Sequence, residues 1–181
     1  MFHKDLGDGF VIKEIDSREI RRIQNLHFAN IYANRISDPS SWVLSEENKE
    51  KIQVRQHAEQ RRELMLGIYK DSEAIGWHRG FSTDPETFYM QNTAVLKEHR
   101  GLGLYTRVLE VVFELVKAEG FQVITSKHHP NNPAVLVPKL KKGFIISGCE
   151  FHEKFRFLIE LKFFFDEQRR KDYSKSLGLE L

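Results

Sequence analysis

The sequence predicts an α+β fold, in which a mixed but mostly antiparallel sheet of six to seven strands is flanked by about four helices. Three consecutive runs of strand-forming residues, separated by short polar turns, indicate an antiparallel meander. A long segment with one apolar face follows them, and shorter strand and helix patterns complete the chain. Elements in this order favour one central sheet with helices packed on its faces.

The first elements are a strand and one or two helices. Alternating apolar residues predict a strand over Phe10–Ile15. Asp16 or Ser17 then supplies a helix N-cap, and apolar residues at helical spacing predict a helix over Ser17–Asn34. A second, strongly polar helix is predicted from Ser45 to about Glu59, as a surface helix or as a flank of a substrate entrance.

The meander and the later elements are predicted from alternation, apolar faces and glycine stops. Pro138 is unfavourable inside a helix and is expected to limit its helix to a turn or two. The charged tail Asp166–Leu181 is expected to fray. In chain order the predicted elements are strands Leu64–Tyr69, Ala74–Phe81 and Thr87–Leu96, a helix with the apolar face Leu104–Val116, strand Phe121–Ser126, helix Asn132–Lys142, and strands Phe144–Ser147 and Phe155–Phe165.

The composition limits the classes of partner and the cellular compartment that are expected. The 181 residues suit one domain over residues 1–181, with a core at about residues 10–165. With 28 basic and 26 acidic residues the net charge is +2, which argues against a nucleic-acid partner. The single Cys149 excludes an intrachain disulfide, and no apolar run is long enough for a membrane span or a signal peptide. We therefore expect a cytoplasmic protein that does not contact membranes.

The most informative segment is a strand end followed by a turn with two glycines and a long helix. Gly101 and Gly103 allow unusual backbone dihedrals and let a ligand approach the backbone closely. Unpaired N–H groups at the helix start can bind phosphate oxygens, and Arg100 can add charged hydrogen bonds. Two glycines before a helix also occur in purely structural turns. The segment lacks the third glycine of the dinucleotide-binding loop and the Gly-Lys-Ser/Thr of the P-loop.

This segment resembles motif A of the GNAT superfamily of N-acyltransferases, Arg/Gln-x-x-Gly-x-Gly/Ala. Arg100 takes its first position and Gly103 its fourth, while Tyr105 stands where Gly or Ala is usual. Val95 lies five positions before Arg100, the spacing that is typical of the family. Downstream, Asn132, Ala134 and the Leu-Lys-Lys-Gly-Phe run at 140–144 resemble a second family block.

The resemblance implies a sheet that is splayed at a cofactor cleft, with acetyl-CoA as the co-substrate and an amine as the acceptor. Backbone groups near Thr93 and Val95 would hold the pantetheine arm, and Asn132 would contact the cofactor near its thiol. The pyrophosphate would bind the main-chain amides of Arg100, Gly101, Leu102, Gly103, Leu104, Tyr105 and Thr106.

The resemblance also implies direct attack of the amine on the thioester. Tyr89, Gln91 and His78 are candidates for a general base on the central strands. The family commonly places a tyrosine, the general acid, four residues before the glycine of the Gly-Phe pair, and that position is Lys139. Lys139 is a candidate proton donor or phosphate ligand, and a solvated lysine is the alternative. Further candidates for the acid are Ser126, His128 and His129.

Three functional hypotheses follow. The first is an amine N-acetyltransferase. The second, suggested by Lys139 in the tyrosine position, is a non-catalytic acyl-CoA binder or sensor of the same fold. The third is a nucleic-acid or protein-binding module, which the balanced charge disfavours. Adjacent His128 and His129 point apart and have no nearby acidic or cysteine ligand in sequence, so no metal is expected. The chain is expected to be a monomer or a homodimer formed through Phe155–Phe165.

Overall fold

The computed structural model describes residues 2–31 and 61–179. The helix predicted over Ser45–Glu59 and the end of the first predicted helix lie outside these residues. The described residues form eight strands and four α-helices: β1 (His3–Gly7), β2 (Phe10–Glu14), α1 (Ser17–Ile31), β3 (Glu63–Lys70), β4 (Glu73–Ser82), β5 (Thr87–Val95), α2 (Leu104–Ala118), β6 (Val123–His128), α3 (Pro133–Lys141), β7 (Ile145–His152), β8 (Arg156–Phe164) and α4 (Glu167–Ser176).

The strands form one sheet in the order β1-β2-β3-β4-β5-β6-β8-β7. All neighbours are antiparallel except β5 and β6, so the predicted fold class and meander are confirmed. The strand count exceeds the predicted six to seven because a hairpin precedes the meander. Its turn is tight, and Gly7, Asp8 and Gly9 all adopt positive φ values of 83°, 57° and 77°.

Apolar residues on the two faces of the sheet form two separate clusters. On one face, Ile20 and Ile23 of α1 pack with Trp77 and Ala94 of the central strands. On the other face, the apolar side of α2 packs on the sheet around Phe88, and this cluster is the larger of the two. The amphipathic pattern of α2 therefore buries one side of the helix and leaves residues such as Glu110 and Glu114 in solvent.

The sheet opens between β5 and β6. These strands pair through only three residue pairs, from Thr87–Val123 to Tyr89–Thr125. Beyond them β5 continues along β4 as far as Val95, whereas β6 continues along β8 as far as His128. The two strands therefore diverge and leave a gap in the middle of the sheet, as the family resemblance implied.

The C-terminal part differs from expectation in three ways. Helix α3 runs through Pro138 to Lys141. Pro138 has no N–H to donate to the Ala134 carbonyl, but Ala134 is exposed, so water can bond that carbonyl instead. Strand β7 is longer than the predicted Phe144–Ser147 because it pairs with β8 as far as His152. The described part of the tail, up to residue 179, is mostly helical rather than frayed: it forms α4, whose N-cap Asp166 accepts a hydrogen bond from the Arg169 amide.

The three consecutive phenylalanines at the end of β8 are all used within the chain. Phe163 and Phe165 lie 4.5 and 5.8 Å from Phe113 between ring centroids. Phe164 is buried and packs on Tyr173 of α4 at 5.0 Å. Strand β8 is paired on both sides as well, by β6 and β7. These aromatic residues therefore complete the intrachain core.

Candidate active site

The turn between β5 and α2 presents an open cradle of backbone N–H groups. Gly101 and Gly103 have φ values of 79° and 71°, and a Cβ added at either would meet no atom within 4 Å. Within the described part of the chain, the amides of Gly103, Leu104 and Tyr105 donate to no acceptor. The turn is therefore accessible and carries unpaired donors beside the positive end of the α2 dipole.

Two arginines hold this turn in place. Arg100 donates from Nε to the Val95 carbonyl at 2.9 Å, which ties the turn to the end of β5. Arg107 donates to the Leu6 carbonyl at 2.6 Å and pairs with Asp8 at 3.0 Å, which ties α2 to the first hairpin. The cradle is thus fixed by side chains beneath it, and ligand binding requires little reorganisation.

The predicted cofactor residues of the turn divide by environment. Leu104 is buried and anchors the turn in the core, whereas Leu102 is half-exposed above it. The Thr106 amide already donates to the Gly103 carbonyl at 3.1 Å inside the first helical turn, so it is not available to a ligand. Burial raises the pKa of Tyr105, whose side chain lines the cavity described below.

One edge of β5 faces the gap. The Leu96 amide donates to Ile75 of β4, and N–H groups alternate in direction along a strand. The backbone groups of Thr93 and Val95 therefore point away from β4, toward the gap. The Val95 carbonyl is bound by Arg100, while the Thr93 hydroxyl lies 2.7 Å from His78 Nδ1.

A cavity of about 920 Å³ occupies the gap and passes through the sheet. Its wall includes Gln24 and Ile31 of α1 on one face of the sheet. It also includes Tyr105 of α2 and Val135 of α3, which belong to the opposite face. The predicted residues Tyr89, Gln91, Thr93, Asn132 and Lys139 all line it. Two ligands approaching from opposite faces can therefore meet between β5 and β6.

Lys139 is the most unusual group in the wall. Its side chain is 1% exposed, and Nζ donates to Ser126 Oγ at 2.7 Å. Nζ also lies 3.6 Å from Met90 Sδ and 4.8 Å from the Phe144 ring centroid. No carboxylate of the described residues pairs with Nζ. Burial lowers the pKa of Lys139 from its ordinary 10.5 to about 7 because the charged form loses its hydration.

Two histidines close to Lys139 are neutral at physiological pH. Burial, reinforced by the charge of Lys139, lowers the pKa of His78 and the pKa of His128 to about 3. His78 is fully buried behind Thr93 and does not line the cavity, whereas His128 does. Nε2 of each ring is buried without a partner among the described residues.

Tyr89 lines the cavity from β5. Its ring packs edge-on against Phe81 at 5.4 Å. Burial raises the pKa of Tyr89, although the nearby Lys127 partly opposes this effect. The phenol therefore stays protonated at neutral pH and can donate a hydrogen bond.

Asn132 is the N-cap residue of α3, and its carbonyl accepts from the Val135 and Leu136 amides at 3.2 and 3.0 Å. Its side chain caps no amide and lines the cavity. The described residues contain no cluster of three or more His, Cys, Asp or Glu that could bind a metal. None of the described helices has the length and apolar composition needed to cross a membrane.

The Acetyltransferase (GNAT) family model matches residues 28–141, more than half of the 181-residue chain. The chain belongs to the GNAT acetyltransferase family. The predicted resemblance is thereby confirmed, and the domain is that of an acyltransferase. No curated protein matches the chain.

Solved GNAT structures share the fold. A ribosomal-protein-S5-alanine acetyltransferase from Vibrio fischeri has a TM-score of 0.67 at 14% identity, covering 92% of this chain and 98% of its own. An acetyltransferase from Salmonella typhimurium that modifies the N-terminal serine of 50S ribosomal subunit protein L7/L12 has a TM-score of 0.64 at 14% identity, covering 91% of this chain and 100% of its own. A spermidine N-acetyltransferase from Vibrio cholerae, in complex with CoA and spermine, has a TM-score of 0.63 at 13% identity, covering 87% of this chain and 96% of its own. At these identities the likeness concerns the fold alone.

The structure of this GNAT domain adds residues that the sequence did not reveal. Ser126, considered only as an acid, is the hydrogen-bond acceptor of Lys139. Arg79, Lys127 and Arg156 also line the cavity. Strand alternation could have placed Ser126 and Lys127 on opposite faces, but only the positions of β4 and β8 bring Arg79 and Arg156 to the same wall.

Proposed function

We propose that the chain is an N-acetyltransferase that transfers an acetyl group from acetyl-CoA to a primary amine by direct attack. The residues of the cleft fit acetyl-CoA. The cradle at Gly101 and Gly103 is open and has unpaired amide donors, which suits a pyrophosphate. Thr93 directs backbone groups into the gap, where an extended pantetheine arm can pair with them as an added strand. Asn132 offers a side-chain amide on the opposite wall.

Acetyl-CoA supplies an acyl group that is already activated as a thioester. The buried Lys139 in the gap is the single observation that carries the catalytic proposal. Its protonated form can donate to the departing thiolate, whose pKa is about 8.5 in a simple thiol. Since the pKa of Lys139 is about 7, it is partly protonated at neutral pH and transfers its proton downhill. Lys139 thereby takes the role that tyrosine has in the family.

Ser126 orients this acid. Its hydroxyl accepts from Nζ at 2.7 Å and holds the side chain in the gap. Ser126 lies on β6, directly after the last residue that pairs with β5. This position beside the gap supports Lys139 as the proton donor to an entering thioester.

The described wall contains no strong base for the acceptor amine. Tyr89 stays protonated because burial raises its pKa, and the pKa of His128 near 3 makes its imidazole a weak base. An amine with a pKa of about 10.4 is neutral in roughly one molecule in 10³ at pH 7, which costs about 4–5 kcal/mol. We infer that the ammonium group first loses a proton to water, and that the cations of the wall, such as Lys127, favour its neutral form. After the attack the nitrogen loses a second proton, which replaces the one that Lys139 gives to the thiolate.

Transfer without a covalent intermediate is supported by the position of the only cysteine. Cys149 is exposed on β7 and does not line the cavity. The cavity reaches both faces of the sheet, so donor and acceptor can be bound at the same time. The proposed reaction is therefore a single displacement within a ternary complex.

The test combines turnover with binding. The wild-type protein is incubated with acetyl-CoA and a broad panel of amines, and free thiol and acetylated product are measured. Lys139→Met should lose at least about 10²-fold in kcat while it retains acetyl-CoA binding by calorimetry. Binding by the wild type without transfer to any amine would refute the enzymatic proposal and favour the non-catalytic acyl-CoA binder.

A further inference from the structure

The wall of the cavity has an uneven distribution of charge. Five of its described residues are Lys or Arg, and none is Asp or Glu. The five are Arg79, Lys127, Lys139, Lys154 and Arg156. A positively charged wall attracts an anionic ligand and repels a ligand with additional cationic groups.

Carboxylates beside two of these cations already have partners. Glu63 accepts from Arg79 Nη2 at 3.1 Å. Glu150 pairs with Lys127 Nζ at 2.6 Å. These pairs leave neither carboxylate as an unpaired site for a substrate ammonium.

Arg79 has a hydrogen-bond donor that lacks a partner. Its Nη2 is held by Glu63, but its Nε is buried and has no acceptor among the described residues. Because Nε is not exposed to the cavity, a ligand carboxylate would accept instead from Nη1, on a side chain that is about one-third exposed and lines the cavity. The register between β4 and β5 is interrupted directly after Arg79, and such an irregularity redirects side chains near functional sites.

Arg156 approaches the cavity from the β7–β8 turn. It has a φ of 58°, in the left-handed region that residues with side chains rarely adopt. This conformation belongs to the tight turn between His152 and Arg156. The turn extends beyond His128–Ile159, the last pair between β6 and β8, and so reaches past the end of β6 to the gap.

Arg79 lies on the acceptor side of the cavity. It is paired in register with Asn92, and the adjacent Trp77–Ala94 pair packs against α1. The cradle for the donor lies at the start of α2, on the opposite face of the sheet. The positive charge of Arg79 is therefore separate from the cradle that would bind the donor phosphates.

We propose that the amine acceptor also carries a carboxylate, and that Arg79 and Arg156 bind it. This inference rests on the proposed acetyltransferase function and adds the class of acceptor. An amino acid or a related aminocarboxylate fits this wall, whereas a polyamine brings a second cation against it.

The test uses three amines of equal length that differ in charge at the far end: 5-aminopentanoate, pentylamine and cadaverine. Each is titrated calorimetrically into the protein saturated with CoA, and each is assayed as an acceptor with acetyl-CoA. We expect 5-aminopentanoate to bind about 10- to 100-fold more tightly than pentylamine, and cadaverine to bind least tightly. Equal binding of the three, no binding of 5-aminopentanoate, or a preference for cadaverine would overturn the inference.

Variants identify the residues. Arg79→Gln and Arg156→Gln should each raise KM for 5-aminopentanoate about 10-fold or more, with little change in kcat or in KM for acetyl-CoA. KM for pentylamine should not change. Arg169→Gln is the matched control. Arg169 lies on α4, outside the cavity wall, and pairs there with Glu86.

Binding and turnover separate the two proposals. Selective binding of 5-aminopentanoate without transfer to any amine would support the anion site and refute the acetyltransferase. Transfer to cadaverine or pentylamine in preference to 5-aminopentanoate would support the acetyltransferase and refute the anion site.

Discussion

The pH dependence of the reaction tests the assignment of Lys139 as general acid. The reaction needs a neutral amine and a protonated Lys139. Below about pH 7 the lysine is protonated, and kcat/KM should rise tenfold per pH unit with the neutral fraction of an amine whose pKa is about 10.4. Above about pH 7 the loss of protonated Lys139 cancels this gain, so the profile should level off. At pH 9 the rate should lie roughly 100-fold below the extrapolated line.

The assay measures initial rates of thiol release at subsaturating amine between pH 5.5 and 9.5. Lys139→Arg is the decisive variant because its guanidinium stays protonated over this range and donates a proton poorly. Its activity should be low and should rise tenfold per pH unit without a break. A wild-type profile that keeps rising through pH 9, or a break that persists in Lys139→Arg, would refute the assignment.

Three further predictions concern the same elements. Lys139→Met should raise the free energy of unfolding by at most about 5 kcal/mol at pH 6, because at this pH the wild-type protein buries the charged form of Lys139. The wild type gains stability as the pH rises from about 7 to 10.5, so the difference should shrink over this window; a constant difference in denaturant titrations would contradict this. Ser126→Ala removes the hydrogen-bond acceptor of the charged Lys139 Nζ, which should lower the pKa of Lys139. The break in the rate profile should therefore move about one pH unit lower, and an unmoved break would contradict the pairing. Gly103→Glu should weaken acetyl-CoA binding more than tenfold in calorimetry, whereas Gly148→Glu, in open space on β7, should not; equal affinities would exclude the cradle.

The fold was largely predictable because its elements have strong local signals. Alternation in the meander and the apolar face of α2 define their own structure. The hairpin strand His3–Gly7 was missed because it is short and mostly polar. Helix α4 was missed for a related reason: Glu167–Ser176 has almost no apolar face, and it is held by the Asp166 cap and by Tyr173 packing on Phe164.

The site was predictable where backbone geometry alone creates it. Gly101 and Gly103 before a helix indicate a cradle because only glycine easily combines positive φ with an open approach. The burial of Lys139 was not predictable, because Met90, Ser126 and Phe144 surround it from three separate elements. The sequence therefore left open whether Lys139 is solvated, whereas the structure places it inside the gap.

The gap and the buried lysine depend on each other. Where β5 and β6 separate, the sheet loses cross-strand hydrogen bonds and leaves the groups of Thr93 unpaired, which a stable sheet avoids. A buried tyrosine in the position of Lys139 would add apolar area to the core. Lysine instead brings an amine that can be charged, and the loss of hydration on burial lowers its pKa to about 7. Both features destabilise the folded protein, and under the proposed function both would be relieved when acetyl-CoA fills the gap, pairs with the strand edge and its departing thiolate takes the proton. A site that is stabilised by its own substrate in this way is expected of an enzyme rather than of a packing core.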